Sequence, residues 1–144
     1  MFFGAILMKN KYAIATGLNK KFLKEINLGS KFNNESMKVY MVDGEFVRDN
    51  YFTDYTLGGH DLVYGDFIPS KEIWLEDCEH PESYRFTLLH EVLERTLMQF
   101  WNLDYETAHD YTTKVEKKLR KLQYKYTNLF EKLNLNEFEI HPTN

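Results

Sequence analysis

The sequence predicts an α+β fold, a small antiparallel or mixed sheet packed on two long C-terminal helices. Three observations carry that expectation. Asp43-Gly44 separates the short runs Met37–Val42 and Glu45–Arg48, which is a strong signal for a hairpin over residues 37–48. Residues 82–101 and 104–132 each carry an apolar stripe at helical spacing. Just before the first of them, Lys71–Asp77 has the strand-like centre Ile73-Trp74-Leu75.

The chain has 144 residues, enough for one core, and is read as a single domain, 1–144. Hydrophobic residues make up 43% and aromatic residues 16%, which excludes a disordered chain. A formal net charge of -4 gives no general attraction to nucleic acid or anionic lipid. The single cysteine, Cys78, cannot form an internal disulfide, so a reducing, cytoplasmic setting is expected. No run is long enough to span a bilayer, and oligomeric state leaves no trace in the sequence.

In chain order, the apolar run Met1–Met8 reads as a buried strand or an N-terminal extension, lacking the basic start of a secretory signal. Asn19 is placed to cap a short helix with Phe22, Leu23 and Ile26 inside and Gly29 at its end. Residues 49–69 show little periodicity. They include Gly58-Gly59-His60, read as a surface turn with His60 either solvated or functional, one of only five histidines.

Pro81 suits the first turn of the next helix, and Glu82 its positive dipole end. Phe86, Leu89, Leu93, Leu97, Phe100 and Trp101 form one apolar arc, with Leu88, Val92 and Met98 outside it. That helix is therefore expected to be buried on more than one side. His90 falls within the arc and Glu94 at its edge, four residues on and so on the same face. Glu91 lies about 100° round from His90. A buried histidine and a half-buried carboxylate need partners. His90, Glu91 and Glu94 are thus a candidate metal or acid–base site, completed by at least one of His60 and His109.

Asp104 reads as the N-cap of the last helix, with Glu106 in its first turn. Tyr105, Ala108, Thr112, Val115, Leu119 and Leu122 mark its buried stripe, and His109 and Glu116 share a bordering face. The short loop between the helices favours an antiparallel pair. Such a pair leaves His90 and His109 axially offset unless the helices cross or the loop bends. Lys114, Lys117, Lys118, Arg120, Lys121 and Lys125 read as a solvated face rather than a phosphate-binding one. Residues 134–144 read as a loose tail.

The Leu89-His90-Glu91-x-x-Glu94-Arg95 helix resembles that of zincin-like metallopeptidases, in which His-Glu-x-x precedes a second ligand. The chain is similar, over roughly residues 45–120, to a group of short microbial and viral proteins of unassigned activity. That group shares Gly58–His60, Ile73–Trp74, Leu89–Arg95 and Tyr105–His109 in this order. The resemblance implies a zincin-like sheet against the metal helix, with Ile73–Glu76 as the edge strand along a substrate cleft. It implies His90 as first ligand, Glu91 as general base, Glu94 in place of the second histidine, and His109 as third ligand with His60 in reserve. Two histidines and a carboxylate make a donor set for zinc, and a carboxylate at the second position broadens the choice towards Fe(II) or Mn(II).

Two functions are then in play. One is a metal-dependent hydrolase, of the peptidase kind, acting on a peptide or protein. The other is a non-enzymatic interaction protein with a buried His/Glu network. A carboxylate-bridged di-metal bundle would need paired Glu-x-x-His elements, and the chain has that motif only once.

Overall fold

A computed structural model describes residues 18–77 and 83–122. The chain divides into two compact units, Met1–Asp77 and Cys78–Asn144, which are taken in turn. The described residues form an α+β architecture of four strands in one mixed sheet, three α-helices and a short 3-10 turn.

In the first unit the strands are β1 (Lys21–Asn27), β2 (Ser36–Val42), β3 (Gly58–His60) and β4 (Glu72–Glu76), in the order β1-β2-β4-β3. β1 and β2 are antiparallel, β2 and β4 parallel, and β3 and β4 antiparallel. β4 therefore has a strand on each side, and the edge-strand role implied for Ile73–Glu76 is corrected. Among the described residues the edges are β1 and β3. Ile73, Trp74 and Leu75 are all fully buried, the continuous apolar run of a central strand.

Two local expectations are also corrected. Residues 21–27 are a strand, not a helix capped by Asn19. Buried Lys24 and Ile26 follow a period of two, and pairing with β2 outweighs the helical reading of Phe22, Leu23 and Ile26. β1 ends at Asn27, and Gly29 leads instead into the 3-10 turn Ser30–Phe32, with φ at 92° and its N–H donating to Asn27 Oδ1 at 2.7 Å. The hairpin is thus β1–β2, not 37–48.

After β2 the Asp43-Gly44 pair starts a helix, α1 (Gly44–Asn50), instead of turning a hairpin. Asp43 Oδ1 accepts the Phe46 N–H at 3.2 Å, so the aspartate acts as an N-cap. The helix wins because it buries Val47 and aims Arg48 at Glu76, with two bonds of 2.9 Å and a third to the Tyr55 carbonyl at 3.0 Å. Leu18, Val42, Val47, Tyr55, Phe67, Ile68 and Trp74 form the core around these elements.

In the second unit, α2 (Ser83–Phe100) and α3 (Tyr105–Lys121) stand where the stripes predict helices. Asp104 caps α3, its Oδ1 accepting the Thr107 N–H at 2.8 Å. Asn102 takes a left-handed backbone in the four-residue link 101–104, at φ 54°. Contacts pair Phe86 with Arg120, His90 with Glu116, and Glu94 with His109. Partners run in opposite orders, so the helices are antiparallel. Trp101 lies past the end of α2 and is 56% exposed, which removes it from the apolar arc. The expectations for Met1–Met8, Pro81, Glu82, residues beyond Leu122 and the tail lie outside the described residues.

Candidate metal centre

Glu94 is the hub. Its side chain is 4% exposed, and its Oε2 accepts from His109 Nδ1 at 2.8 Å and from His90 Nε2 at 3.2 Å. His90 and Glu94 meet because four residues of helix bring them to one face. The axial offset between His90 and His109 is spanned by Glu94, one turn further along α2. The two rings sit edge to face with centroids 5.0 Å apart.

Donor atoms of His90, Glu94 and His109 all lie within 4.8 Å of one another, so these three residues could hold a metal ion. Two imidazole nitrogens and one carboxylate oxygen are donors that suit a divalent cation. The His109 side chain is 43% exposed, leaving one side of the trio open.

Glu116 also belongs to the cluster, whereas its spacing in the sequence puts it only on His109's face. Its Oε1 accepts from His90 Nδ1 at 2.8 Å, and its Oε2 from Arg120 Nε at 2.7 Å. The signal was the spacing of seven between His109 and Glu116, which turns both toward α2. Tyr105, on the same helix, lays its ring 5.3 Å from that of His109.

The electrostatics follow from burial among carboxylates. Burial pulls the His90 pKa down, but its bonds to Glu116 and Glu94 and the charges of Glu91 and Glu94 hold it up, to about 10. With both nitrogens donating to carboxylates, His90 is an imidazolium in this arrangement. Glu91 is buried, and desolvation together with the charge of Glu94 pushes its carboxyl up to about 8. Nearby His90 opposes that rise and Glu116 adds to it. Carboxylate oxygens of Glu91 and Glu94 lie within 4.8 Å of each other. Burial acts to raise Glu116, yet the bonds from His90 and Arg120 hold it below the usual carboxylate range.

His60 belongs to the first unit. It is fully buried on β3, which corrects the reading of a solvated turn, and its Nδ1 accepts the Leu62 N–H at 3.2 Å. Among the described residues no helix is long and apolar enough to cross a membrane. Comparison with protein-family models, with curated proteins and with solved structures gave no match.

Proposed function

We propose that this chain is a metal-dependent hydrolase of peptide bonds, zincin-like in its chemistry, with zinc held by His90, Glu94 and His109. The convergence of those three side chains carries the proposal. A bound divalent cation supplies Lewis acidity and makes a nearby water acidic. Glu91 is the proton-holding group beside it. Its carboxyl titrates near neutrality, where a group serves best as both acceptor and donor of a proton. Glu94 as a carboxylate ligand leaves Fe(II) and Mn(II) as alternatives to zinc. Exposure of His109 gives a peptide an approach to the open side of the centre. The proposed setting is cytoplasmic, in keeping with the lone cysteine.

A second reading has its own observation. Arg120, Glu116, His90, Glu94 and His109 form an unbroken chain of hydrogen bonds, in which the guanidinium and the His90 imidazolium supply positive charge to the two carboxylates. Such a network suits an interaction protein that needs no metal. Elemental analysis of the purified chain, followed by assay on an unfolded protein substrate, separates the two. Near-stoichiometric metal with chelator-sensitive hydrolysis is expected, and folded, metal-free protein that binds no added zinc favours the network.

A further inference from the structure

We infer that Glu116, held in turn by Arg120, is the positioning residue that decides which nitrogen of His90 faces the metal centre. The inference rests on the metal-site reading above. Glu116 Oε1 takes the His90 Nδ1–H at 2.8 Å, and Glu116 Oε2 takes the Arg120 Nε–H at 2.7 Å. Arg120 is laid over Phe86, its guanidinium carbon 4.8 Å from the ring centroid. The carboxylate is therefore fixed at both oxygens from two directions.

An ionised carboxylate can only accept, so a hydrogen must stand on His90 Nδ1. The ring's remaining nitrogen, Nε2, is then the one with a lone pair to offer a cation. It is also the one facing Glu94 Oε2, at 3.2 Å. The opposite tautomer would set a lone pair against the Glu116 carboxylate. Carboxylate partners of this kind orient ligating histidines and raise their basicity. Here the same contact ties the centre to a turn of α3 that supplies no ligand.

The test is zinc titration of the full chain, freed of metal, against a competing chelator. Glu116→Gln keeps the shape but leaves one accepting oxygen for two donors, Arg120 and His90. With that oxygen turned to Arg120, the amide NH2 faces His90 and enforces the tautomer that cannot ligate through Nε2. Zinc affinity is expected to fall about 10–100-fold. Adding Arg120→Leu frees the oxygen for His90 and is expected to restore most of the loss, which a role in packing or net charge would not produce. A double variant as weak as the single, or a single as tight as the parent, overturns the positioning role. In nitrogen-15 spectra of the zinc-loaded parent, His90 is expected to be protonated at Nδ1. Protonation at Nε2 overturns the inference even if no variant folds. A parent that binds no zinc overturns the metal-site reading, and this inference with it.

Discussion

Glu94 and His109 meet at 2.8 Å across the two helices of the second unit, and one oxygen of that carboxylate serves both histidines. Glu94→Ala therefore takes from the largely buried His90 one of its two carboxylate partners, and from the more exposed His109 its acceptor. Removing one partner of a buried pair costs about 3–5 kcal/mol. Urea denaturation of the metal-free variant is expected to show a loss of that order, together with loss of zinc binding. A change under about 1 kcal/mol would mean that the contact contributes little.

Metal-free protein should lose stability as pH rises. His90 is raised from 6.5 to about 10 in the folded state, so its contribution is complete below pH 6.5 and gone above about 10. Glu91 is raised from 4.5 to about 8, so the folded state again holds a proton that the unfolded chain has released. Its share fades between those two values. Both slopes have the same sign. Denaturation midpoints at pH 5, 7 and 9 are expected to fall in that order, and Glu91→Gln should flatten the step between 5 and 7. A rise across the series would contradict the assignment.

Glu91→Gln and His90→Ala should part company. The first removes a proton carrier that is not among the three proposed ligands, so zinc content is expected to stay near that of the parent while turnover falls about 10²–10⁴-fold. The second removes a ligand and should lose the metal, with part of the stability, because binding and folding are linked. Metal analysis and melting of both variants check this. Equal metal loss in the two would make Glu91 a ligand.

In the first unit, Gly44→Ala tests a close approach. A Cβ there would fall on the Glu76 side chain. That side chain cannot swing away cheaply, because Arg48 holds both its oxygens and the Leu57 N–H bonds Oε1 at 3.1 Å. Overpacking of this kind costs about 1–3 kcal/mol. A variant as stable as the parent by chemical denaturation would show that Glu76 has room to yield.

The helices and the core of the site were legible because their signals are local. Apolar stripes, the Asp104 cap and the four-residue step from His90 to Glu94 need no knowledge of the rest of the chain. The sheet was less so. Lys21–Asn27 shows its period of two only against β2, and Asp43-Gly44 suits a hairpin turn and a helix cap equally well. Arg48 decides between them through Glu76, 28 residues away. Glu116 was placed on the right face but not in the site, since its partner, His90, lies on another helix. Its role depends on the register of the helix pair, which the link 101–104 sets.

The contacts of the centre are also local in sequence. They close over 15 and 26 residues within one helical hairpin, whereas the sheet has to bring Val39 beside Ile73 in parallel across α1 and β3. Short closures and helices form fast, and parallel pairing of distant strands forms slowly. While the chain is refolding, the carboxylates and imidazoles of α2 and α3 can gather before β2 and β4 have paired.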